Sequence, residues 1–464
     1  MKRVLSFISV LIILSTSLVT ITGYTLAKES DNVTFRIIDE WGDTGLLEGI
    51  TAEMQFTHHN QLNWTVEFTP SGETKCKYDY NTFYNANRNA ASYYGMSYPY
   101  IDIFDTKNAL LQEIITNLKT EAKKPGDIKS RKIHFRELYE YYPVNFDLNL
   151  PEISISWASG VFDENGEYIF SGITPSKGQA LLNKFNEYFR VPVNENDILE
   201  LSVHAADNGT FSYRASHRKT FNFVFTNVLS SECIYFTFPN EINTGHEETR
   251  ELVDTSEIRG GYGIYALPYT GKNIKYEELN TVYRIPEDAT AESLSIDTER
   301  NELYLGLHEN EKFILHIIDM NTMTDKTALE LFDFNFHDNI RVEQGEDFFI
   351  FIKNDIDYNV VEITQDGTHE SSLSGTIPPE TIADKDFFSY NSWFGFNGKR
   401  LVVLTIENPG TEEIKLMTIQ PDIMIFTKDG LSYYGKWICS LSDPVSNWGM
   451  SFVTLNGNCK INIK

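Results

Sequence analysis

Short runs in which apolar and polar residues alternate fill most of the chain, and glycine, asparagine or aspartate separates one run from the next. Alternation with a period of two marks a strand with one buried face, because successive side chains point to opposite sides of a sheet. Examples are Ile153 to Trp157 with a return at Tyr168 to Phe170, and Trp393 to Phe396 with a return at Leu401 to Ile406. Between such runs stand Asn165-Gly166, Asn208-Gly209, Asp366-Gly367, Asn397-Gly398, Asp429-Gly430 and Asn456-Gly457. Each pair predicts a tight type I′ hairpin, in which both central residues take positive φ. The chain therefore reads as mainly β and antiparallel.

Two segments depart from this pattern. From Asp105 onward, Leu110, Leu111, Ile114, Ile115, Leu118 and Ala122 keep a helical period, with Asp105 as the expected N-cap and Lys124-Pro125-Gly126 as the stop. A second helix starts at Thr174-Pro175, where proline suits the first helical position, and carries Leu181, Leu182, Phe185 and Phe189 on one side. Both read as short helical insertions on a β body.

The second half of the chain repeats an order of strand, strand closing on a turn, and strand. Leu303 to Leu307, Phe313 to Thr322 and Asp325 to Leu331 form one cycle; Phe348 to Ile352 with Val360 to Gly367 form the next; Leu401 to Ile406 with Ile414 to Ile419 form a third. Leu303, Phe348 and Leu401 lie 45 and 53 residues apart, in the range of a propeller blade. Over residues 255 to 464 the chain resembles generic β-propeller repeat proteins, and the resemblance implies an architecture without naming a ligand. Extended over the whole exported part it implies about seven or eight blades. A ring must close its edges, so Thr34 to Ile38 are expected to pair near Ile461. Two other architectures fit the same pattern: a β-sandwich, and an N-terminal α+β domain joined to a smaller propeller within residues 240 to 260.

At the N-terminus, Met1-Lys2-Arg3 precedes an uncharged stretch from Val4 to Ala27. A basic start, an apolar run and a small-residue exit at Thr25-Leu26-Ala27 predict a signal peptide over residues 1 to 27. Left uncleaved, the same stretch is long enough for a signal anchor. Either way residues 28 to 464 are expected outside the cytoplasm, secreted or membrane-anchored, as one extracytoplasmic domain. With its signal, its Tyr141 to Pro143 segment and its β-rich body, the whole chain resembles exported proteins of Gram-positive bacteria.

A net charge of −27 over 464 residues argues against nucleic acid as a partner, since phosphate binding rests on lysine and arginine displacing counterions. Cys76, Cys233, Cys439 and Cys459 are too widely spaced for a zinc ribbon or a disulfide scaffold. If a strand around Phe452 separates Cys439 from Cys459, the two lie two strand spacings apart, about 9 to 10 Å. That exceeds disulfide reach, so buried thiols are expected.

No motif assigns catalytic, cofactor or metal residues. Gly245-His246-Glu247 is half of a zincin signature, with Arg250 where the second histidine belongs. His58 and His59 are adjacent and point to opposite faces of a strand, and the other histidines read as isolated. Ser216 to Lys219 lies in a strand pattern, Gly260 to Gly263 lacks a following helix, and Asp163 to Glu167 reads as a hairpin tip. Two surfaces remain as candidates. Tyr93, Tyr94 and Tyr98 belong to a segment rich in tyrosine and asparagine, whose flat rings and amides suit a sugar or peptide. Lys123, Lys124, Lys129, Arg131 and Lys132 form a basic island that could meet an anionic polymer or lipid headgroups. The reading that follows is an exported, non-enzymatic binding module at the cell envelope whose partner is a protein or envelope component. An envelope glycan hydrolase with paired carboxylates and a membrane-anchored sensor are the alternatives.

Overall fold

The computed structural model describes residues 14–18, 20–21, 33–58, 62–80, 108–143, 148–150, 153–155, 175–217, 220–221, 225–243, 251–271, 273–335, 337–377, 392–407, 418–441, 453–455 and 459–464. These residues are mainly β, in several antiparallel sheets, none of them closed. The chain divides into two compact units: residues 1–91 with 340–464, and residues 92–339.

In the first unit, one four-stranded meander runs Ile340–Gln344, Phe348–Lys353, Asp357–Ile363 and His369–Thr376. A second runs Ser392–Phe396, Leu401–Glu407, Thr418–Thr427 and Gly430–Leu441, and gains Val33–Gly42 as a fifth strand. The third sheet joins Ile50–His58, Leu62–Phe68 and Lys75–Tyr80 to the C-terminal strands Val453–Leu455 and Lys460–Ile463. The middle sheet explains why its strands are continuously apolar. Val402, Leu404, Ile423, Ile425 and Trp437 enter the core shared with Met54, Phe56, Trp64 and Val66, whereas Leu401, Val403, Met424 and Phe426 enter the core shared with Ile350, Tyr358 and Val360. A strand covered on both faces loses the polar half of its alternation.

N-terminal and C-terminal strands do pair, but not as expected. Val33–Gly42 lies against Gly430–Leu441, with Phe35 opposite Cys439, and Ile461 is instead opposite Ala52. The reason lies in the apolar faces. Ile50, Ala52, Met54 and Phe56 alternate on one buried face that the C-terminal strands can extend, while Val33–Gly42 buries only Val33 and forms an exposed outer strand. Cys439 and Cys459 are buried thiols on different sheets whose faces share one core, and not two strands apart in a single sheet.

In the second unit, Thr290–Asp297, Glu302–Glu309, Lys312–Asp319 and Thr324–Asp333 form a third four-stranded meander. A neighbouring sheet contains Thr226–Leu229, Cys233–Thr237 and Gly263–Thr270, the last also paired with Asn280–Arg284. The helix Pro175–Tyr188 begins at the expected proline and packs against this sheet, with Phe185 stacked on Phe236 at 5.8 Å. The other helix is Ala109–Glu121, and its N-cap is Asn108, whose side chain accepts the Leu111 N–H at 3.0 Å; Asp105 lies outside the described residues. Leu111, Ile114, Ile115 and Leu118 bury against Ile133, Leu199, Leu201 and Val203 of the sheet Ile128–His134, Ile198–Ala205 and Phe211–His217. Residues 240 to 260 lie inside this second unit.

Candidate ligand-binding cleft

The first strands of two meanders in the first unit, Ile340–Gln344 and Ser392–Phe396, lie at the ends of their sheets. Together with Cys459 they line a cleft of about 270 Å³, whose walls are Arg341, Glu343, Gln344, Phe348, Ser392, Trp393, Phe394 and Cys459. The C-terminal strand reaches this place because Gly395 has no side chain: a Cβ there would stand 2.7 Å from Ile461.

Arg341 is held on two sides. Its Nε donates to Glu343 at 2.7 Å, and its guanidinium lies 5.8 Å from the centre of the Phe394 ring. The ion pair and the ring contact hold the Arg341 guanidinium oriented. Trp393 and Phe394 are half-buried neighbours on one strand, Trp393 packed towards the core of Met54 and Trp64 and Phe394 towards that of Ile350 and Tyr358, and Ser392 and Phe348 in the lining are buried. Burial pushes the Cys459 thiol up to about 12, with the Glu53 charge adding to it, so Cys459 contributes a neutral S–H and no thiolate near neutrality.

The tyrosines expected to bind a ligand, Tyr93, Tyr94 and Tyr98, lie outside the described residues, as do His246 and Asp163. The basic island is described and is divided. Lys123 and Lys124 are exposed beyond the helix Ala109–Glu121. Lys129 and Arg131 stand opposite Val203 and Leu201, on the helix-covered side, while Lys132 stands opposite Glu200 on the other. All three belong to Ile128–His134, an outer strand of its sheet. Charged side chains on an outer strand oppose pairing with another chain. None of the cleft residues was singled out from sequence as a site. Trp393 and Phe394 read there as hairpin flanks, and no spacing in the chain signals that residues near 341, 393 and 459 converge.

No family model matches the chain, and no curated protein matches it. Among solved structures it is similar to the N-terminal domain of Nup159, at 10% identity and a TM-score of 0.23, over 50% of this chain and 55% of that one. It is also similar to a xyloglucan-locus GH43B protein of Bacteroides ovatus, at 10% identity and a TM-score of 0.21, over 51% of each chain. The chain thus spans about half the length of these structures, and likenesses this slight carry no argument about its activity.

Proposed function

We propose that the chain is an extracytoplasmic binding module, exported through its N-terminal segment and built of propeller-like β blades, that holds a saccharide of the cell envelope without chemically altering it. The cleft carries this reading. Trp393 and Phe394 leave one strand on opposite faces, so one of them can meet the apolar side of a sugar ring, while Arg341 and Gln344 offer donors for its hydroxyl edge. Three successive four-stranded meanders, each with its second strand buried, support the blade-like architecture. They also supply the rigid backing that a preformed cleft needs. Among the described residues no helix is long and apolar enough to cross a membrane.

Titration of the purified protein with solubilised envelope glycan fragments tests the proposal. Trp393→Ala is expected to weaken retention by about 10-fold or more, the loss of one stacking contact of roughly 1 to 3 kcal/mol. Gln344→Ala, at an exposed position, is expected to weaken it less and to leave folding intact. Equal retention by wild type and both variants would remove the cleft from the reading. Shortening of the glycan on standing would replace a binding module with a hydrolase.

A further inference from the structure

Glu241, Glu292 and His308 are far apart in sequence and meet in the second unit. His308 stands opposite Thr290 in the pairing of Thr290–Asp297 with Glu302–Glu309. The register slips between Ala291 and Ser293, which makes Glu292 the extra residue of a bulge. A bulge re-aims the side chain it carries, and here it brings Glu292 towards His308. Glu241 arrives on a different segment, anchored by a backbone bridge to Leu252. Its neighbour Asn240 is fully buried and accepts the Thr290 hydroxyl at 2.7 Å, which ties that segment to the same strand.

The result is one imidazole nitrogen and two carboxylate oxygens, all within 4.8 Å of one another. His308 is only 4% exposed, and its ring meets Phe334 edge to face at 4.9 Å, which fixes its plane. Beside them Tyr262 is locked: its hydroxyl donates to the Phe238 carbonyl at 2.6 Å and accepts the Ala291 N–H at 3.0 Å. Burial first, then the charges of Glu292 and Glu241, hold that phenol above its ordinary range, so it stays neutral next to both carboxylates.

We propose that Glu241, Glu292 and His308 bind one divalent transition-metal ion. Two half-buried carboxylates drawn together repel, and a dication balances their charge. The imidazole donor favours zinc over magnesium and calcium, which take all-oxygen shells, with manganese between them. Metal–ligand distances of about 2.0 to 2.2 Å place ligand atoms roughly 3 to 4 Å apart, within reach of this spacing by small side-chain rotations. Three protein ligands leave a coordination position for water or a ligand. The ion would clamp residues 240–243 to the bulged strand. This site lies in a different unit from the cleft, so neither proposal depends on the other.

The test is equilibrium dialysis of the full chain, stripped with chelator, against Zn²⁺ or Mn²⁺, with bound metal counted by atomic emission. One ion per chain is expected, retained against equal Mg²⁺. Glu292→Gln and Glu241→Gln keep shape and remove charge, and each is expected to weaken binding at least ~10-fold while circular dichroism stays unchanged. His308→Ala removes a buried ring and can unfold the unit, so the glutamine variants carry the decision. Absence of saturable binding by the folded wild type would overturn the proposal. So would glutamine variants that bind as tightly as wild type, because the metal would then sit on other carboxylates of this acidic chain.

Discussion

At the residue scale the turns divide into two chemical kinds. Asn208, Asp366 and Asn397 each direct a side-chain oxygen to the N–H two residues on, at 3.0, 3.2 and 3.3 Å, and only the following glycine has positive φ. The side chain closes these turns, so the double positive φ of a type I′ hairpin, expected from the pairs, is absent there. That geometry appears instead at Asn310-Glu311, with φ of 50° and 61°, and at Asn354-Asp355, with 54° and 57°. Glu311 and Asp355 occupy a region where a Cβ is unfavourable by about 1 to 2 kcal/mol. Glu311→Gly is therefore expected to stabilise the protein by roughly 1 kcal/mol in urea titration, although glycine at an ordinary strand position destabilises. A lower midpoint would show that the Glu311 side chain contributes more than its backbone costs.

At the element scale, the placement of the last strand depends on one missing methyl group. Gly395 takes negative φ or extended backbone, so its value lies in room and not in conformational freedom. Gly395→Ala sets a Cβ 2.7 Å from Ile461 and 3.3 Å from the tip of Ile463. The strand Lys460–Ile463 must shift, at a cost of about 1 to 3 kcal/mol. Hydrogen exchange should show faster exchange at Ile461 and Ile463, with the remote strand Glu302–Glu309 unaffected; uniform acceleration would mean global destabilisation. Both helices illustrate the same level. Their apolar periodicity was readable from sequence, but what each covers was not, because the covered sheets are assembled from strands up to about a hundred residues away in sequence. The start of the first helix moved from Asp105 to Asn108 because both residues are good N-caps and local sequence does not rank them.

At the scale of the whole molecule, buried acids that stay protonated link stability to alkaline pH. Burial raises Cys233 to about 11 and Cys459 to about 12, from 9.0, and it raises Tyr358 to about 12, from 10.0. The folded state holds these protons more tightly than the unfolded one. Their contribution is therefore complete below about pH 9 and is lost as pH rises through 11 to 12. Thermal midpoints should fall steeply above pH 9, and native Cys459 should resist alkylation at pH 8 until denaturant is added. Rapid alkylation of Cys459 in the folded protein would contradict its burial. Sequence alone determined the mainly β class, the two helices and the repeat whose equivalent residues Leu303, Phe348 and Leu401 all fall on the second strand of a meander. These are properties of period and local turn chemistry, which act over a few residues. Tertiary structure alone decided which strand joins the C-terminus, which residues line the cleft, and that Glu241, Glu292 and His308 meet. Those outcomes depend on a bulge, on a glycine that admits a neighbouring strand, and on the stacking of sheets, and none of these leaves a spacing in the chain from which it could be read.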